Sequence, residues 1–326
     1  LRAIAAAVVA VMLLAAPAFA ESIKVLILDE NFEKVPAPEE KLAMLDRSDG
    51  DLFLGNTSYR GKIEAWKGTG GLYLINELPL EEYVEGVVKA ETGKDWAYEA
   101  LKAQAVIVRT YVLHEKLSHP GRTYDVTSTV LNQVYKGRNA DQIVSAAVAA
   151  TKGEILTYDG SPIIAYYHST SVGRTELPEE VFGKSYPYLK SVPAPDNPSP
   201  YTMWTRRMSL AEIGEATGVT HLKDIVILSH TATGRVRDLS LVSNPGTREL
   251  KATELRRELG WKKLPSTDFS LKIEGDTAVF EGRGYGHGVG LCQWSALEMA
   301  KKGKTYREIL SYFYPGARLD SYSEGR

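Results

Sequence analysis

Leu80, Tyr83, Val84, Val87 and Val88 recur at i, i+3, i+4, i+7 and i+8, the spacing of one buried face of an α-helix. Glu91 stands eleven residues after Leu80, three turns on, and falls on that same apolar face. Pro79 opens this helix where a missing N–H costs nothing, and Thr92-Gly93 closes it. A second, alanine-rich helix is expected over 96–117 with Asp95 as its cap, and a third over 139–151. Elsewhere the period drops to two. Residues 23–28 read as a first strand, followed by alternating Lys62-Ile63-Glu64-Ala65-Trp66, a Gly-Thr-Gly-Gly turn and Leu72-Tyr73-Leu74-Ile75. Asp159-Gly160 between apolar runs at 154–158 and 162–167 predicts a hairpin, and the second run delivers His168 at a strand's end.

The rest of the chain continues in this mixed way. Four prolines between 193 and 200 mark a surface connection. Ser209-Leu210-Ala211-Glu212 reads as a capping box opening a short helix that Gly218 stops. Strands near 224–228 and 236–242, a helix near 254–259 and a hairpin at Gly275-Asp276 follow. Helices are expected at 293–301 and after a Thr305–Glu308 box. This irregular order predicts an α+β fold, with helices and β-hairpins around a groove, and not a doubly wound sheet. Neither a repeat of 20 to 50 residues nor a low-complexity segment is present.

Arg2 precedes an uncharged stretch over 3–20 that ends in Ala18-Phe19-Ala20 before Glu21, the pattern of a secretory signal peptide. Its length would also just span a bilayer, so an uncleaved anchor stays open. Either way the expectation is an exported, cell-envelope protein. The chain after residue 20 is long enough for one extended domain or two close-packed ones, and is expected as one over 21–320, with a β-rich part at 21–75 and a core at 76–320. Cys292 is the sole cysteine, which excludes an intramolecular disulfide and a cysteine-rich zinc site. A net charge of -2 gives no basic excess for nucleic acid. The 18 tyrosines suit stacking on sugars and equally suit a half-buried sheet.

Glu91 carries the sharpest chemical expectation. A carboxylate on an apolar face loses hydration, which raises its pKa and suits it to act as a general acid. The bland alternative is a frayed helix end with its head group in water. Lys102 and Arg109 are seven residues apart on one face of the second helix, with Glu99 one turn before Lys102; by spacing alone they read as a solvated charged stripe. Gln104, among alanines and valines, is expected to make buried hydrogen bonds. His168, followed by Ser169 and Thr170, is either a structural histidine or part of a binding loop. Gly282-Arg283-Gly284-Tyr285-Gly286-His287-Gly288-Val289-Gly290 allows positive φ and a close backbone approach to another group. It lacks the βαβ context and acidic residue of a dinucleotide site. Its amides, leading into a helix, are candidate donors to a ligand oxygen.

Four segments, in order, resemble the signatures of the stage II sporulation protein D family. They are Glu-Leu-Pro-Leu-Glu-Glu-Tyr-Val-Glu-Gly-Val-Val-Lys-Ala-Glu (77–91), Glu-Ala-Leu-Lys-Ala-Gln-Ala-Val-Ile-Val-Arg-Thr-Tyr (99–111), Tyr-His-Ser-Thr-Ser-Val-Gly-Arg-Thr-Glu (167–176) and the glycine-rich run at 282–290. The resemblance implies a bacterial lytic transglycosylase acting on peptidoglycan glycan strands, preferably after amidases have removed the stem peptides. It puts the catalytic acid at Glu91 and substrate handling at Lys102, Arg109 and His168, with Ser169, Thr170 and His287 along the groove. It implies no cofactor, and a cell-wall amidase as a partner in the family's non-catalytic amidase enhancers. Two departures stand out. Relatives commonly follow the glutamate with an apolar residue and proline, where this chain has Thr92-Gly93. Some relatives bind zinc with cysteines and histidines downstream of the position of His168, where this chain has no cysteine, so no metal is expected.

Overall fold

The computed structural model describes residues 21–27, 35–36, 40–54, 57–93, 95–129, 132–137, 141–195, 197–244 and 246–322. The leader expected at 1–20 lies outside those residues, as do Lys94 and the first two residues of the helix expected at 139. Among the described residues no helix is long and apolar enough to cross a membrane.

The α+β architecture expected from the pattern is observed. Strand Ser22–Ile27 pairs antiparallel with Gly71–Pro79 and parallel with Val126–Thr127, and Lys62–Gly68 and Ala43–Asp49 extend the sheet to five strands. Strand Gly71–Pro79 runs directly into α1 (Leu80–Glu91), so the sheet fixes where that helix starts. All five residues of the predicted face are buried, and Glu91 is the helix's last residue. Helices α2 (Tyr98–Ser118) and α3 (Gln142–Ala150) pack beside α1 around a core that includes Val84, Val88, Val108 and Val148.

Three local expectations need correction. Asp95 does not cap α2; it sits at φ 60, and Ala97 occupies the cap position without a side-chain bond. Helix α3 starts under Asp141, whose carboxylate accepts from the Ile143 and Val144 amides. The hairpin turns at Asp159-Gly160 as expected, both at positive φ, joining Glu154–Tyr158 to Ser161–Pro162. The returning strand ends at Pro162, however. Tyr167–His168 is a separate two-residue strand, parallel to Leu291–Cys292, so the residues directly after the last signature segment hold His168 in place.

Tyr188 and Leu189, after α4 (Pro178–Phe182), still pack in this core; from Trp204 on the apolar residues build another. Strands Trp204–Ser209, Thr277–Gly282 and Phe269–Glu274 form one small sheet, and Leu222–His230, Val236–Ser243 and Thr247–Lys251 form a second. Helices α5 (Leu210–Thr217) and α6 (Ala252–Leu259) cover them, burying Ile213, Leu239, Leu255 and Phe280. This insert lies between the signature segments at 167–176 and 282–290. Helices α7 (Gln293–Lys301) and α8 (Tyr306–Phe313) return to the first core.

Ser209 caps α5 by accepting from the Glu212 amide at 3.1 Å, but the reciprocal half of the expected box is absent because Glu212 pairs with Lys263. Ser209→Ala is therefore expected to cost about 1 kcal/mol. The check is a lowered urea midpoint at unchanged slope.

Candidate active site

Glu91 is held from three directions. Its Oε1 accepts from the Val134 amide at 3.0 Å and the Tyr167 hydroxyl at 3.3 Å, and its Oε2 from Gln293 Nε2 at 3.4 Å. These partners come from a loop, the short Tyr167–His168 strand and the start of α7, so three separate chain segments converge on one carboxyl. Burial raises the Glu91 pKa, and the three hydrogen bonds with the nearby Lys136 charge only partly oppose it. None of its hydrogen-bond partners is itself a carboxylate. The Thr92 hydroxyl donates to Val88 O at 2.7 Å, giving the helix end a tie of its own. Gly93 leaves room for the Trp96 indole, which meets Trp294 edge to face at 6.0 Å, next in sequence to Gln293.

The raised pKa has a consequence for stability. The folded state keeps the Glu91 proton to higher pH than the unfolded chain does. Its contribution is therefore complete below the unfolded pKa and is lost as pH rises through the folded one. Glu91→Gln is expected to raise Tm at pH 7 by a few degrees, with the difference vanishing near about pH 4. Thermal melts of both proteins across that range check it.

The other predicted site residues divide. His168 is buried and fully engaged: Nδ1 is 3.1 Å from Val289 O and Nε2 2.6 Å from Ser171 Oγ. Burial, with the His287 ring and the Arg235 guanidinium beside it, holds its pKa well below the usual histidine range, so the ring is neutral. His287 packs 5.7 Å from that ring and 5.3 Å from Phe182, and its Nδ1 accepts from the Val289 amide. Burial takes its pKa down to about 3. Ser169 is half-buried and shares a 3.1 Å hydroxyl contact with Thr170, which is buried against Ser199 at 2.6 Å.

Lys102 and Arg109 sit elsewhere than a solvated stripe. Lys102 pairs with Glu99 and lies 4.6 Å above the Tyr306 ring, while Glu99 accepts from the Tyr306 amide, so the group ties α2 to α8. Arg109 is 0% exposed. It donates through Nε and Nη2 to both oxygens of Glu81, at 2.8 and 2.7 Å, and through Nη1 to Glu154 O at 2.9 Å. Gln104 is buried as expected, yet its Nε2 finds no partner among the described residues.

The glycine-rich segment approaches its own chain. Gly286, at φ +107, would place a Cβ 2.8 Å from that of His168, and a Cβ on Gly290 would overlap Tyr166 O. Sequence reasoning missed Tyr167 and Gln293 as partners of the acid. Each was visible only as a polar neighbour of a residue singled out for another reason.

The assembled features define an α+β protein with a half-buried carboxylic acid at a helix end, held by a tyrosine, a glutamine and a backbone amide. Residues 68–158 match the family model described as stage II sporulation protein, and residues 201–290 match one described as a domain of unknown function. The chain is 36% identical over 267 residues to stage II sporulation protein D of Bacillus subtilis (strain 168), covering 75% of each chain. It is 32% identical over 287 residues to an uncharacterized protein of Brachyspira hyodysenteriae, covering 86% of this chain and 77% of that one. A match of 29% over 292 residues reaches an amidase enhancer of Bacillus subtilis (strain 168), covering 73% of this chain and 40% of the enhancer. The chain belongs to the stage II sporulation protein D family.

Proposed function

We propose that the protein is a lytic transglycosylase of the cell envelope that breaks peptidoglycan glycan strands, with Glu91 as general acid and then base. The observation that carries this reading is the Glu91 carboxyl, its pKa raised by burial and its oxygens fixed by Val134, Tyr167 and Gln293. A protonated carboxyl donates to the glycosidic oxygen as the bond to the muramic acid C1 breaks. The resulting carboxylate then takes the proton from the same sugar's 6-hydroxyl, whose oxygen closes on C1 to give a 1,6-anhydro end. Charges and protons balance, and no water is consumed. Ordinary glycosidases need a second carboxyl as nucleophile or base. An internal hydroxyl removes that need, and holding it in place makes ring closure effectively unimolecular.

In this reading Lys102, Arg109 and His168 position the groove from behind, because each is already committed to protein partners. Substrate contact falls to the Trp96–Trp294 pair, carried by the segments that follow Glu91 and Gln293, with Ser169 and His287 as further candidates. A second reading, an amidase enhancer that grips glycan without cutting it, is favoured by the relative of that name. Purified protein incubated with peptide-stripped glycan separates the two. Anhydromuramic ends detected by mass spectrometry support cleavage. No ends, but faster release by an added amidase, supports the enhancer.

A further inference from the structure

Arg235 belongs to the insert, at the foot of the turn between Leu222–His230 and Val236–Ser243, yet it is 4% exposed and reaches into the other half of the molecule. Its Nη2 donates to Ser171 Oγ and to Arg174 O, both at 3.1 Å. Nη1 donates to Thr233 Oγ1 at 3.0 Å and lies 3.8 Å from Glu176 Oε2. Ser171 Oγ in turn is 2.6 Å from His168 Nε2. The neutral ring donates through Nδ1 to Val289 O, so its Nε2 must accept, and the serine proton points to it. The Arg235 guanidinium has no acceptor, so it donates to the same serine oxygen. The direction of the whole chain is thereby fixed, ending at His168, the neighbour of Tyr167.

We infer that Arg235 is a positioning residue for Glu91: through Ser171 and His168 it anchors the two-residue strand that keeps the Tyr167 hydroxyl on the Glu91 carboxyl. This gives residues 201–290, matched only as a domain of unknown function, a task at the site. The insert completes the surroundings of the acid. It does so with a side chain threaded into the seam between the 167–176 and 282–290 segments, where Gly288 would bring a Cβ within 3.1 Å of its guanidinium. The inference rests on the role given to Glu91 above and extends it.

Docking of the insert does not by itself require this arginine. Thr231 and Thr233 hydroxyls already donate to Glu176 Oε2 at 2.7 and 2.6 Å, and Arg237 grips Glu180 at 2.8 Å nearer the surface. Burying a guanidinium is costly, and what it adds beyond those contacts is a bond to Arg174 O and the orientation of Ser171. The titratable groups around Glu91 are Tyr83, Tyr167, Tyr285 and Lys136. Those around Arg235 are Glu176, Asp268, Arg283, Cys292 and the two histidines. Only Tyr167 both touches Glu91 and follows directly on the Arg235 chain.

The test titrates Glu91 itself in the full chain by carbon-13 NMR of labelled glutamate carboxyls, the Glu91 signal being the one lost in Glu91→Gln. Loss of the Tyr167 hydrogen bond removes a contribution that lowers the Glu91 pKa. Tyr167→Phe should therefore raise the midpoint, by roughly half a unit or more. Ser171→Ala, which keeps the arginine charge, and Arg235→Lys, which keeps a cation, should raise it in the same direction. Arg237→Ala should leave it at the wild-type value. A wild-type midpoint in both Ser171→Ala and Arg235→Lys overturns the inference, whatever Tyr167→Phe does. Because the readout needs no glycan, it succeeds or fails separately from the cleavage assay.

Discussion

Glu91→Gln is expected to slow the breaking of peptide-stripped glycan by about 10³-fold, within the range that a positioned acid–base group contributes. Glutamine keeps the shape of the side chain and an oxygen that accepts from Val134 and Tyr167, and Gln293 can turn its amide to match. What is lost is the proton. The measurement is the rate of anhydromuramic end formation under single turnover, beside glycan binding, which should be retained. Glu91→Asp is expected to recover only part of this, because drawing the carboxyl back by a methylene displaces it by roughly 1 Å, worth up to about 10² in rate. The wild-type rate should fall as pH rises through the raised Glu91 pKa, since the acid must enter the reaction protonated. Equal product from wild type and Glu91→Gln would remove the acid from its place. No product from either, with equal stimulation of an amidase, would transfer the protein to the enhancer reading.

The sequence made the acid legible because a helix converts spacing into direction. Five apolar residues at i, i+3, i+4, i+7 and i+8 assign a face, and Glu91 falls on it by arithmetic alone. The Asp159-Gly160 turn was legible for a similarly local reason, two successive residues at positive φ. What spacing could not give was the partner of each side chain. Arg109 looked like a surface charge because its partners, the Glu81 carboxylate and the carbonyl of Glu154, lie 28 and 45 residues away in the chain. The five glycines of the 282–290 run correctly signalled a close approach, but not that the approaching groups include the carbonyls of Tyr166 and Thr170 and the Cβ of His168. The separate core of the insert was invisible too. Apolar periodicity reports that a face is buried, not which core receives it.

The largest stability effect is expected at Arg109→Ala, about 3–5 kcal/mol, the usual consequence of breaking a buried ion pair from one side. The guanidinium joins three elements at once: the first turn of α1 through Glu81, the middle of α2, and the strand Glu154–Tyr158 through its first carbonyl. Alanine leaves a cavity the size of that side chain, a carbonyl without its donor and a partly buried Glu81 carboxylate without its counter-charge. Denaturant unfolding should show the loss as a lower midpoint at unchanged slope. Arg109→Lys should recover only part of it, because one ammonium cannot span both oxygens of Glu81 and reach Glu154 as well. Kinetics of the folded fraction then decide between two roles for this residue. A group that touches glycan would raise KM in Arg109→Lys at little cost in Tm. A group with no exposed surface, holding α1 so that Glu91 at its far end stays aimed, should lower Tm and kcat together and leave KM near wild type.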